Sequence, residues 1–248
     1  MIELTVESMN YPGLLTSGNL IEDYALTVQA GSIVSLVGRS GIGKTTILRL
    51  LAGLERRFQG TVLVNGQPVT APSRRIQMVF QDYRLLPWKT VQGNVRFALQ
   101  NGRHLEGDDS SVRQWLEIVG LWERRDSWPK TLSGGECARV AFARAFVDKP
   151  AVLLLDEPFR GLDVCSRLDL HREFLKSLAV EPAAVVLVSH SIEDAVLLSD
   201  VIHVLSGPPL RTSATFRLGS SRPRDPGSEE CLRMAAQVTN ALLTNQYG

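Results

Sequence analysis

Two stretches of this 248-residue chain carry residue types whose spacing suits phosphate chemistry. The first is Gly38-Arg39-Ser40-Gly41-Ile42-Gly43-Lys44-Thr45, with Thr46 behind it. It follows an apolar, β-branched run, Ile33–Val37, and opens KTTILRLLAG, which reads as a helix stopped by Gly53. Glycines let successive backbone N–H groups curl around β- and γ-phosphates without Cβ clashes. The helix N-terminus adds its positive dipole end. Lys44 supplies a mobile charge to the phosphate oxygens, and Thr45 a hydroxyl suited to Mg²⁺. Strand, loop, Lys-Thr and helix together point to a nucleoside triphosphate.

The second stretch, Val152-Leu153-Leu154-Leu155-Asp156-Glu157-Pro158, is an apolar strand ending in two acids. Acids there could merely mark the exit to solvent. Beside a phosphate loop they fit two tasks: Asp156 holds the Mg²⁺ shell next to Thr45, and Glu157 polarises a water for in-line attack on the γ-phosphate. Between the two stretches lies Leu132-Ser133-Gly134-Gly135-Glu136, leading into the helical CARVAFARAF. Taken alone, Ser-Gly-Gly could be a helix cap and turn.

In this order the elements resemble the motifs of ATP-binding cassette ATPases, with Glu136 where the family's signature usually has glutamine. The resemblance spans roughly residues 1–210. It implies a P-loop NTPase (RecA-like) α/β fold: a mostly parallel sheet core with an antiparallel β edge and a helical subdomain, about 82–148, inserted in it. It further implies that Ser133, Gly134, Gly135 and Glu136 of one copy close over ATP held by a second copy. By the same resemblance, Gln81 reaches the metal and the attacking water. Asp163, in Gly161-Leu162-Asp163, crosses the dimer interface. His190, after VVLVS, contacts the γ-phosphate. Tyr11 is the expected adenine-stacking ring, with Tyr24 competing for that role and a packed strand tyrosine the bland alternative.

Cassette ATPases also serve DNA repair, chromosome structure and translation. This chain has no coiled-coil insertion between its ATP motifs and no basic tail. DYRLLPWKTVQGNV after Gln81, and DSWPKTLSGGE, resemble importer ATPases of the nitrate/sulfonate/taurine group. That likeness implies permease subunits in the membrane, a solute-binding protein in the full system, and a peripheral place on the cytoplasmic face. Tyr83 through Asn94, including Leu85, Leu86, Pro87 and Trp88, would receive a coupling helix; alternatively, Leu86 and Trp88 pack within the helical subdomain. A soluble cassette acting on a macromolecule is the other reading.

The elements that must position these residues show in the hydropathy pattern. ELTV, YALTV, RIQMVF, AVLLLD, AAVVLVS and VIHVLS read as strands, and GTVLVNGQPV as a hairpin turning at Asn65–Gly66. SVRQWLEIVGL puts Val112, Trp115, Leu116 and Val119 on one helix face, a pattern that more often marks core than a ligand cleft. Residues 211–248 read as a tail with a short helix after the Pro- and Gly-bearing RPRDPGS. The composition, 44% hydrophobic and 21% charged, allows a sizeable core, and a net charge of +1 argues against a nucleic-acid surface. Three cysteines show neither metal-ligand nor disulfide spacing. The opening MIELTVESMN lacks the pattern of a signal peptide. No apolar run nears the ~18–20 residues of a membrane span, so contact with a membrane is expected through a partner.

Overall fold

Alternation in the first residues produces two half-buried strands, β1 (Ile2–Met9) and β2 (Ile21–Val28), with Ile2, Leu4 and Val6 facing the core. The computed structural model describes residues 1–10, 19–99 and 109–247. β3 (Ile33–Val37) is buried at every position, as a central parallel strand must be, and passes through the glycine-rich loop into α1 (Lys44–Leu51). β4 (Gln59–Val64) and β5 (Gln67–Pro68) form the expected hairpin. Asn65 and Gly66, at φ 50° and 74°, take the positive angles of its two-residue turn. β6 (Ile76–Val79) is shorter than the expected run.

Three helices follow: α2 (Val91–Phe97), α3 (Asp109–Ile118) and α4 (Gly134–Phe146). Val112, Trp115, Leu116 and Val119 are all buried, and Trp115 stacks on Phe146 with ring centroids 5.1 Å apart. That stripe is core. The chain then alternates through β7 (Val152–Asp156), α5 (Val164–Val180), β8 (Ala184–Val188), α6 (Ile192–Leu198) and β9 (Val201–Ser206). β10 (Arg211–Arg217) and α7 (Glu229–Tyr247) complete it.

The antiparallel strands make a sheet of their own, in the order β2-β1-β4-β5. The second sheet runs β10-β9-β3-β8-β7-β6, and its pairs are parallel except β10 with β9. β8 pairs with both β3 and β7, so the carboxyl ends of all three open at one edge, where α/β sheets hold their ligands.

The segment after Leu210 differs from the tail with a short helix expected there. β10 extends the main sheet, and the 19-residue α7 buries Cys231, Met234 and Val238 against Val37, Ala195 and Ile202. Arg224, 9% exposed, donates to the carbonyls of Val196, Leu197 and Ser199. A cation there satisfies orphan carbonyls at the end of α6 and complements its dipole. No helix of the described residues is long and apolar enough to cross a membrane.

Candidate active site

The loop from Gly38 to Thr45 has the shape its composition demands. Gly43, at φ 111°, occupies backbone space closed to other residues, and a Cβ there would lie 3.1 Å from Leu210 Cδ1. No side chain caps the N-terminus of α1, and its first turn has no acid. Its first N–H groups are therefore free of a side-chain cap and suited to an anion. The Lys44 side chain folds back inside the loop. Its Nζ donates to the carbonyls of Gly38 at 2.6 Å and Arg39 at 2.8 Å. Burial pushes its ammonium below the usual lysine pKa, and the carboxylates of Glu157 and Asp156 oppose that shift. Ile42 packs into the apolar core beside the loop.

The end of β7 brings the acids to the same edge. Thr45 Oγ1 donates to Asp156 Oδ1 at 3.3 Å. Burial raises the Asp156 carboxyl, the Thr45 hydrogen bond works against it, and the neighbouring Glu157 charge adds to it. Glu157 sits at φ 51°, an uncommon angle for a residue with a Cβ. Its N–H donates to Val188 O at 2.9 Å, tying the turn after β7 to the end of β8. That tie presents the carboxylate to the next residues of the β8 strand end. His190 Nε2 lies 2.7 Å from Glu157 Oε1, while Arg160 Nη1 lies 3.1 Å from Oε2.

The loop and the Glu157–His190 pair wall a cleft of about 360 Å³. Ser40, Gly41, Gly43, Lys44, Thr45 and Thr46 line one side; Glu157 and His190 face them. Phosphate donors, a cation, the Thr45 hydroxyl and a carboxylate–imidazole pair thus share one space, with Asp156 joined to it through Thr45. Such a set can hold a polyphosphate and activate a water beside it. Leu20, at the mouth of this cleft, was not singled out from the sequence. It lies just before β2, where nothing in its type marks it.

Other expected residues lie elsewhere. Gln81, exposed just after β6, does not line the cleft. Ser133 N-caps α4: its hydroxyl accepts from Glu136 N at 3.2 Å, and Glu136 Oε2 accepts from Ser133 N at 2.8 Å. This reciprocal box holds the Glu136 carboxyl below its usual pKa, chiefly through the Ser133 amide. The Ser133–Gly134 tip is exposed and stands apart from the Lys44 cleft of its own chain. Asp163 caps α5, accepting from Ser166 N at 3.0 Å, and the Ser166 hydroxyl, then its amide, lowers its carboxyl. A Cβ on Gly134 would lie 3.3 Å from Leu162, so the α4 tip and the loop before α5 are neighbours. Tyr11 lies outside the described residues. Tyr24, 3% exposed, is packed in the core, and burial pushes its phenol pKa up; its ring has no open face for a base.

The segment after Gln81 is rigidly built. Tyr83 and Arg84 take φ of 54° and 44°, and their carbonyls accept from Arg144 at 2.6 and 2.8 Å. Asn94, fully buried in α2, accepts from Leu86 N and donates to the carbonyls of Leu86, Lys89 and Thr90. A polar residue between Val91 and Val95 on a buried face is the sequence signal for that role. Trp88, at the loop's crest, is 69% exposed.

Residues 21–160 match the family model for ABC transporters. The aliphatic sulfonates import ATP-binding protein SsuB 1 of Xanthomonas axonopodis pv. citri is 42% identical over 227 residues, covering 90% of each chain. SsuB 2 of Agrobacterium fabrum, of the same description, is 42% identical over 206 residues, 83% of this chain and 77% of that one. A solved dimeric structure of a bacterial ABC transporter cassette superposes with a TM-score of 0.76 at 25% identity, over 89% of this chain and 100% of that one. The chain belongs to the ABC transporter family, as one of its ATP-hydrolysing cassettes.

Proposed function

We propose that two copies of this chain close on ATP to drive an importer of a small sulfonate-like anion whose pore lies in separate membrane subunits. The observation that carries the reading is the meeting of Lys44, Asp156, Glu157 and His190 at the adjoining ends of β3, β7 and β8. The sulfonate solute class is supported by the importers to which the chain is similar.

In this reading the loop amides and Lys44 bind the β- and γ-phosphates, with Leu20 and a tyrosine, Tyr11, beside the base. Thr45 and Asp156 offer two hard oxygens 3.3 Å apart, which would hold a Mg²⁺. A cation bound there would supply charge neutralisation for the phosphates. Gln81 approaches that metal and the water when the dimer closes. The Ser133–Glu136 tip and Asp163 of one copy cover the γ-phosphate held by the other. Glu157 accepts a proton from the attacking water as its oxygen bonds to the γ-phosphorus. The bond to the β-γ bridging oxygen breaks, leaving ADP and phosphate, while His190 fixes the Glu157 carboxylate and senses the γ-phosphate. Closing and reopening bring the coupling helices of the permease together and apart at the Tyr83–Asn94 segment, on the cytoplasmic face. The exposed Trp88 on a loop pinned by Asn94 suits that docking. A solute-binding protein delivers the anion from the other side.

Reconstitution with the neighbouring permease and binding protein in vesicles tests this. ATP-dependent uptake of an alkanesulfonate, lost with Glu157→Gln, is the expected result. Hydrolysis without affinity for any membrane protein would contradict it and favour a soluble machine.

A further inference from the structure

We propose that Asp194 and His171 are positioning residues, holding the His190 loop in register with Glu157; this rests on the reading of Glu157 and His190 above. Asp194 lies in the first turn of α6 and is 4% exposed. Its N–H donates to Ser191 Oγ at 3.1 Å, and its Oδ2 accepts from Ser189 Oγ at 3.4 Å. Ser189 and Ser191 are the residues on either side of His190, so one residue holds both, Ser191 through its amide and Ser189 through its carboxylate. The Ser191 amide also donates to Ser189 Oγ at 3.0 Å, closing the loop on itself.

The other carboxylate oxygen faces α5. Asp194 Oδ1 lies 3.1 Å from His171 Nε2 and 3.8 Å from Arg167 Nε. His171, 4% exposed, sets its ring edge-on to Phe159 with centroids 4.5 Å apart. Phe159, 2% exposed, belongs to the turn that carries Glu157. Phe159, His171, Asp194 and the two serines therefore form a continuous brace behind the 2.7 Å Glu157–His190 contact.

The brace is costly as a packing device. Both ring nitrogens of His171 and Oδ1 of Asp194 are buried without an aligned hydrogen bond, although Nε2 and Oδ1 lie 3.1 Å apart. An apolar pair of like volume would pack there at less cost. Fixing a loop is what a polar pair adds.

The test is hydrolysis by the full chain under single-turnover conditions, with ADP affinity measured beside it. Asp194→Asn and His171→Phe are each expected to slow hydrolysis about tenfold or more while ADP affinity stays within about twofold. In a His190→Ala background, the same substitutions should cost less than about twofold, because the group they position is gone. Full activity in the single variants, or an undiminished loss in that background, overturns the proposal. His190→Ala alone leaving hydrolysis intact faults the reading of His190 instead, which separates the two failures. Should Asp194→Asn not fold, His171→Phe, apolar and of similar bulk, completes the cycle.

Discussion

Glu157 Oε1 and His190 Nε2 stand 2.7 Å apart although their residues leave two different strands, β7 and β8. The contact exists because the Glu157 amide is hydrogen-bonded to Val188 O, which forces the left-handed turn that aims the carboxylate at its neighbour. Removing the carboxylate charge while keeping its shape should therefore leave binding intact and stop turnover. Glu157→Gln is expected to slow hydrolysis about 100-fold or more, with ATP affinity unchanged or higher, in phosphate-release and equilibrium-binding assays.

Lys44 folds its side chain inside the phosphate loop through two carbonyl contacts. Lys44→Ala removes the cation without touching the sheet. Nucleotide affinity should fall about tenfold or more by calorimetry, while far-UV circular dichroism stays unchanged.

Asp156 provides a pH-dependent check. Burial holds its carboxyl above the usual pKa in the folded chain. A raised carboxyl favours folding while protonated, so that contribution is present below the unfolded pKa and is lost as pH rises through the folded one. At pH 8 the ionised group therefore opposes folding. Asp156→Asn should melt at a higher temperature than the parent at about pH 8, with the gap closing towards about pH 4. The same variant should hydrolyse no ATP. A parent that melts higher at pH 8 would contradict the burial argument.

Asn94 holds the segment after Gln81 through Leu86, Lys89 and Thr90. Asn94→Ala removes the side-chain partner of the part-buried Leu86 amide and Lys89 carbonyl, a loss of about 2–3 kcal/mol in urea denaturation. If the segment docks a membrane subunit, permease binding should weaken further than stability alone accounts for.

What the sequence disclosed was local chemistry. Asn65 and Gly66 announce positive φ angles, Ser133 announces a helix cap, and unbroken apolar runs announce β3, β7 and β8. Each signal lies within a few residues of its effect. Residues acting across long separations stayed hidden. Arg224 satisfies the end of α6 from far along the chain, and Pro- and Gly-bearing RPRDPGS gave no hint that α7 packs on the main sheet. Leu20 and the His171–Asp194 pair are placed by tertiary contacts alone. The exposed Ser133 tip was legible as a cap, but its use requires a second chain.

That second chain is the central claim, and a crystal structure of Glu157→Gln with ATP tests it most directly. The account expects a twofold dimer in which Ser133 Oγ and the Gly135 amide of one copy lie within hydrogen-bonding distance of the γ-phosphate held by Lys44 of the other. A nucleotide-filled cleft with the Ser133 tip directed at solvent, in every copy, would contradict it.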